Sequence, residues 1–262
     1  MKRRDRMHRN AFTLVELSIV LVIMGLIVGG IMAGASLIRN TEVKTAISQS
    51  QKYKNALYAF RSKYAGWPGD LSDATNYWGV KAGTGSDVTC HQTAGTGNAT
   101  CNGNGDGFME GISGDTSNGE RFLTWQQMAA AGLIEGRFTG ASTTAPTMNA
   151  APGVNVPKPT VGGNNVRWEV HQLDGSVTGH AIWFDGSYPG NVMVLAGGPA
   201  LKPEEAWNID LKLDDGMPAT GGIFVAKATS AWWPNCADGD TTAANYNLSD
   251  TAKRCPLYFG LQ

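Results

Sequence analysis

Two segments of this 262-residue chain carry oxygen-bearing side chains at spacings that suit a hard cation. Asn102, Asn104 and Asp106 alternate with glycines, as ligands do in the first half of a calcium-binding loop. The pattern departs from that loop at position one, which is Asn102, and at position twelve, where Ser113 replaces a bidentate Glu. A solvated, turn-rich loop closed by Cys101 is the plainer reading. The second segment holds Asp210, Asp214 and Asp215 before Gly216. If residues 204–213 are helical, Asp210 and Asp214 lie one turn apart on one face, and Asp214-Asp215-Gly216 makes a helix-ending turn. Three carboxylates so close repel unless a cation, a lysine or backbone donors offset them. Asp210, Asp214 and Asp215 are therefore candidate calcium ligands, and a hydrogen-bonded structural turn is the alternative.

Nothing in the sequence makes a case for catalysis. There is no G-x-S-x-G, no H-E-x-x-H and no phosphate-cradling G-x-x-x-x-G-K-[ST]. His171 and His180 fall in expected strands and read as structural histidines. No catalytic residue is assigned, the chain is not read as an enzyme, and no cofactor is called for beyond that calcium. The formal charge of −1 excludes nucleic-acid binding through net charge alone. Charged residues are only 16% of the chain and glycines number 34, which fits one ordered domain with many loops plus a distinct apolar segment.

That segment lies near the N-terminus. Residues 1–10 carry a net charge of +4, and from Phe12 to Ile38 the only ionisable side chain is Glu16. Leu17 to Ile38 is an uncharged stretch long enough to cross a hydrocarbon core of about 30 Å. The basic flank favours keeping the N-terminal side in the cytoplasm and the remainder outside it. A secretory signal peptide would explain Ala33-Gly34-Ala35 as a cleavage site, but the apolar run exceeds the usual ~7–15 residues. A plain anchor explains the length and leaves Glu16 without a reason, since a carboxylate inside a bilayer is costly.

Residues Ala11-Phe12-Thr13-Leu14-Val15-Glu16-Leu17 resemble the processing site of type IV prepilins, the family of type IV pilins and type II secretion pseudopilins. The resemblance implies cleavage after Ala11 by a membrane-embedded prepilin peptidase and N-methylation of Phe12. The family usually has Gly before the cut, so Ala11 is a departure, and the eleven-residue leader is somewhat long. Cleavage would place a positive amine at Phe12, about 6 Å along a helix from Glu16. In a filament of staggered subunits Glu16 could pair with the Phe12 amine of a neighbour. A paired charge costs less in an apolar medium than an unpaired one, and such pairing would fix axial register. Loss of the leader would take the net charge from −1 to about −5.

The helical pattern continues past Ile38. Val43, Ala46, Ile47, Tyr53, Leu57, Phe60 and Tyr64 recur mainly three and four residues apart, opposite Lys44, Gln49, Lys52, Lys54 and Arg61. One helix over 12–64 would be roughly 80 Å long. Gly25, Gly29, Gly30 and Gly34 permit either local unwinding or close helix packing. Trp67-Pro68-Gly69-Asp70 signals a stop and turn. This segment and the following Tyr77-Trp78-Gly79 look like those after the long helix in some pilin-like proteins, with Trp67, Tyr77 and Trp78 packing near the helix end.

Beyond it, residues 83–119 and 136–165 read as loops and 120–134 as a helix. Strands are expected at Val166–Leu173, His180–Phe184, Asn191–Leu195 and Ile223–Lys227. Outside the cytoplasm, Cys90, Cys101, Cys236 and Cys255 suggest disulfides. Of three pairings, Cys90–Cys101 with Cys236–Cys255 is preferred because each brackets a Gly- and Asn-rich loop. Zinc is disfavoured by the missing C-x-x-C spacing.

The fold class is α+β, with a long N-terminal helix, membrane-spanning in its first half, on a small, mostly antiparallel, pilin-like sheet. The expected organisation is a leader at 1–11, a transmembrane and filament-core helix at 12–38, its amphipathic continuation at 39–64 and a globular head at 65–262. The resemblance implies a structural subunit of a type IV pilus-like filament. Its alternatives are a type II secretion pseudopilin, or a minor pilin with an adhesive or DNA-binding role. Implied partners are homologous pilin-like subunits, the prepilin peptidase, an assembly ATPase with its platform, and the cytoplasmic membrane. The chain would span that membrane once, with its head outside, before entering an extracellular filament or pseudopilus.

Overall fold

The computed structural model describes residues 13–109, 119–141, 150–161, 166–173, 179–186, 199–225, 235–239 and 241–261. Two compact units divide the chain at Thr41. One helix, α1, runs from Leu14 to Tyr64, as the continuous periodicity requires. Its apolar stretch, from Leu14 to Ile38, presents large aliphatic side chains to solvent, and none of the described residues there is buried. From Val43 onward one face enters a core. Val43, Ala46, Ser50, Tyr53, Leu57 and Phe60 are buried at helical spacing, while Ile47 and Tyr64 pack partly covered beside them. Leu57 and Phe60 are wholly covered, and each burial contributes about 2 kcal/mol.

The helix ends where the sequence says it must. Ala65 takes a left-handed conformation, φ 58°, and its N–H donates to the Arg61 carbonyl at 2.9 Å. Pro68 then bars helical geometry at Trp67. A short helix, α2 (Ala74–Trp78), follows. Trp78 lies 6.0 Å from Phe60 and 5.1 Å from Tyr64, and Tyr77 is 5.0 Å from Tyr64. Trp67 packs 6.0 Å from Tyr58, beneath the Arg61 guanidinium at 4.5 Å. The aromatic packing expected at the helix end is therefore present.

The expected loop at 83–119 contains a further short helix, α3 (Val88–Gln92), capped by Asp87, whose Oδ1 accepts from Cys90 N at 2.9 Å. Helix α4 (Glu120–Ala130) follows, four residues shorter at its end than the apolar spacing suggested. Helix α5 (Pro203–Leu213) begins with Pro203, and Glu205 Oε2 accepts from Lys202 N at 2.9 Å.

Strands β1 (Val166–Leu173), β2 (Gly179–Gly186), β3 (Ile223–Phe224) and β4 (Leu257–Leu261) form one antiparallel sheet in the order β1-β2-β4-β3. The small antiparallel sheet and the long helix give the α+β arrangement. The expected strand at Asn191–Leu195 lies outside the described residues; of the strand expected at Ile223–Lys227, β3 takes Ile223–Phe224, Val225 is not strand, and 226–227 lie outside the described residues. Strand β4 was not anticipated, yet it occupies the sheet interior between β2 and β3. Alternation divides the sheet into two faces. Trp168, Val170, Ile182, Phe184, Leu257 and Phe259 join the main core. Trp168 is its hub: its ring lies 5.6 Å from Tyr53 and 4.7 Å from Phe184, and its Nε1–H donates to Gln49 Oε1 at 3.2 Å. Tyr53 also meets Trp125 edge-on at 5.1 Å, so α1, α4 and β1 converge on one tyrosine.

Candidate functional site

The N-terminal motif is described from Thr13 on; Ala11 and Phe12 lie outside the described residues. Thr13 and Glu16 form a reciprocal cap. Glu16 N donates to Thr13 Oγ1 at 3.2 Å, while Thr13 N and Thr13 Oγ1 each donate to Glu16 Oε2 at 2.9 Å. This capping box ties up donors that a helix start leaves free and places a carboxylate at the positive end of the helix dipole. The T-x-x-E spacing is legible in the sequence, and the sequence reading passed over it. Glu16 thus has a local structural role beside any intermolecular one. The apolar helix beyond is long and apolar enough to cross a membrane.

The two disulfides pair as expected. Cys90–Cys101 closes an eleven-residue separation and Cys236–Cys255 one of nineteen. The first fastens α3 beneath α4, where Leu123 packs on both sulfurs' residues. The second leads into β4: Cys255 N donates to Leu201 O at 3.0 Å, and Ala200 N and Leu201 N donate to Cys255 O. The unanticipated strand is therefore pinned by a bridge that was anticipated.

Asp210, Asp214 and Asp215 do come together, with ligand oxygens within 4.8 Å of one another, and Asp210 is buried. Protein donors already serve five of their six oxygens. Asp210 Oδ1 accepts from Gly216 N at 3.2 Å and Oδ2 from the Tyr246 hydroxyl at 2.8 Å. Asp214 Oδ2 accepts from Gly222 N at 2.5 Å and Ile223 N at 3.0 Å. Asp215 accepts from Met217 N at 2.8 Å and Thr220 Oγ1 at 2.6 Å. Burial pushes the Asp210 carboxyl up to about 7, against the lowering effect of Tyr246 and Gly216. The geometry is that of a helix-ending turn whose acids are satisfied from within the chain.

The loop at 102–109 is built differently. Asn104 Oδ1 accepts from Asp106 N at 3.0 Å, and Asp106 Oδ1 from Phe108 N at 2.9 Å. Two buried carboxylates reach it from other elements: Glu120 Oε1 accepts from Asn104 N at 2.9 Å, and Asp70 Oδ2 from Gly107 N at 3.0 Å. The sequence shows Asp70 only as part of a turn and Glu120 only as a helix start; neither reads there as a partner of this loop.

His171 and His180 sit in β1 and β2 as expected. His180 is buried, and its Nε2 accepts from Met109 N at 3.0 Å. Burial, with Arg61 nearby, lowers it to about 4, so the ring is a neutral acceptor.

Sequence reasoning also missed a charged group on the second face of the sheet. Arg167 Nε lies 2.6 Å from Glu169 Oε1 and 3.1 Å from Asp185 Oδ1, and Arg121 reaches Glu169 at 3.8 Å. Arg121, Glu169 and Asp185 are buried, and burial raises the Asp185 carboxyl against the lowering effect of the Arg167 guanidinium beside it. Charges alternating with apolar residues along a strand ordinarily mark a solvated face, so the sequence held no signal for their burial. Two acids balance two arginines here, which suits a structural network rather than a reacting centre.

Among known protein families, the model of the prokaryotic N-terminal methylation motif matches residues 6–32 and no more of the chain. No curated protein and no solved structure matches it. The matched residues include Ala11, Phe12 and Glu16, the capped start of α1 and most of its uncovered apolar stretch. The chain carries at its N-terminus the methylation motif that is the hallmark of type IV prepilin-like proteins.

Proposed function

We propose that this chain is a structural subunit of a type IV pilus-like filament. Prepilin peptidase removes residues 1–11, Phe12 is methylated, and the subunit waits in the cytoplasmic membrane with its head outside. The assembly ATPase and its platform then draw it into the filament beside homologous subunits, where apolar helices form the shaft. It works by assembly, not by chemistry. The observation that carries this reading is the methylation motif heading a helix whose aliphatic side chains are uncovered from Leu14 to Ile38. An apolar surface of that extent needs lipid or like surfaces around it. Glu16, held at the helix start, pairs with the Phe12 amine of a neighbouring subunit and sets the register. N-terminal sequencing and intact mass of the membrane-extracted protein test the processing: the mature chain begins at N-methylated Phe12. A chain beginning at Met1 or Ser36 overturns the reading.

Calcium at Asp210, Asp214 and Asp215 is a minor part of the proposal, since hydrogen bonds within the turn already offset most of the charge. Melting with and without chelator tests it. A calcium-dependent shift that Asp214→Asn abolishes supports the ion, and a shift indifferent to Asp214→Asn removes it from this turn.

A further inference from the structure

The loop from Asn102 to Met109 is enclosed by acid that the proposed assembly does not use. Asp70 follows immediately on the turn that ends α1, and it is 3% exposed. Its Oδ2 takes the Gly107 N–H, and its main-chain oxygen takes Gly105 N–H at 3.0 Å, so the residue is fixed against the loop. Its second carboxylate oxygen, Oδ1, is buried and has no hydrogen-bond partner. An unserved carboxylate oxygen away from water loses its hydration without recompense. Among the described residues neither Asp70 nor Asp106 forms an ion pair. The His91 ring meets the loop at its start, with Nε2 2.9 Å from Asn102 O.

We propose that Asp70 completes a calcium site with the Asn104–Asp106 loop. Asp70 supplies the buried, unserved oxygen; Asn104 and Asp106 supply side-chain oxygens at the alternate positions of a calcium loop, the ion drawing Asp106 Oδ2 off the Asn104 amide that donates to it at 2.8 Å; main-chain carbonyls of the same loop fill out the shell. All are hard oxygen donors, of which calcium takes six to eight in flexible geometry, whereas magnesium demands a stricter octahedron. The missing glutamate at Ser113 is replaced by a carboxylate from outside the loop, which is why the sequence pattern alone reads as half a motif. Glu120 holds the Asn104 backbone in place and acts as a positioning residue. The ion would join the turn that ends α1 to the segment following Cys101, and so lock the head where no described strand reaches.

The test is a calcium titration of the full-length, detergent-solubilised protein, read by thermal melting and by calorimetry. Calcium at a hundredfold excess over its dissociation constant raises the midpoint by about 5 °C relative to chelator, and magnesium does not. Asp106→Asn, an exposed position whose amide keeps an acceptor for Phe108 N and gives up only the solvent-exposed bond from Asn104 Nδ2, melts close to wild type in chelator but loses the calcium shift this loop supplies. Asp70→Asn does the same if it folds; Asp106→Asn decides the matter if it does not. Asp214→Asn, in the separate acidic turn, leaves intact the part of the shift that Asp106→Asn removes. No calcium shift in the wild type, an equal shift with magnesium, or a shift undiminished by Asp106→Asn overturns the proposal. None of these outcomes bears on the N-terminal processing, which mass measurement reads separately.

Discussion

Glu16 does two jobs that one substitution can separate. Its carboxylate caps α1 through Thr13, and it offers the only charge between Phe12 and Ile38. Gln can still accept from Thr13 N and complete the capping box, but it carries no charge. Glu16→Gln is therefore expected to keep the helix content of wild type while failing to enter filaments with it. Circular dichroism and electron microscopy of mixed preparations check the two halves. Normal co-assembly of Glu16→Ala would remove the register role altogether. His180 governs a different residue-scale behaviour. Burial lowers its folded-state value to about 4, and unfolding returns it to the ordinary range near 6.5. The unfolded chain binds the extra proton between those limits, so stability is present above pH 6.5 and declines as pH falls toward 4. The loss should approach about 3 kcal/mol for a group this well covered. His180→Gln should flatten the slope of urea stability against pH over that window.

At the scale of elements, α4 is a polar clamp inside an apolar core. Gln127 Oε1 accepts from Gly69 N at 2.7 Å and its Nε2 donates to Cys101 O at 3.0 Å. Thr124 Oγ1 donates to Pro68 O at 2.9 Å. Gly69 has φ 91° and lies against the Glu120 carbonyl, where a Cβ would not fit. One helix thus fixes both the turn after α1 and the first disulfide loop. Gln127→Ala leaves the buried Gly69 N–H without a partner and Cys101 O with only the long Thr100 hydroxyl contact at 3.5 Å, and should cost about 2 kcal/mol in urea unfolding. Ala65 ends α1 in a left-handed conformation that suits Gly. Ala65→Gly should raise stability in urea unfolding by about 0.5 kcal/mol, the relief of the left-handed alanine exceeding the greater freedom of the unfolded glycine. Strand β4 depends on Cys236–Cys255 for its entry into the sheet. Replacing both cysteines by serine should cost about 3 kcal/mol, and amide exchange at Leu257–Leu261 should quicken first.

For the whole molecule, the division at Thr41 sets two surfaces of opposite character. The head's core begins at Val43, and no described residue from Leu14 to Ile38 is buried. A chain beginning at Glu42 should therefore dissolve without detergent and keep the aromatic near-ultraviolet dichroism of Trp125 and Trp168. It should not enter filaments. Retained membrane association by that truncation would place the membrane-binding surface elsewhere.

Periodicity and punctuation settled much of this chain in advance. The spacing from Val43 to Tyr64, Trp67-Pro68, the strand at Val166–Leu173, the helix near 204–213 and the cysteine pairing were all legible, because each is a local rule of backbone geometry or loop closure. The methylation motif was equally plain, being a contiguous string of side chains. What escaped depends on neighbours distant in the chain. The segment Leu257–Leu261 is a central strand only because β2 and β3 flank it. Arg167, Glu169 and Asp185 alternate as a wet face would, yet they are buried because their charges meet across β1 and β2 and toward α4. Asp70 looked like an ordinary turn residue until folding brought it against a loop more than thirty positions away. A sequence records which groups a residue can satisfy nearby. Only the tertiary structure decides which buried groups are left to find partners at long range.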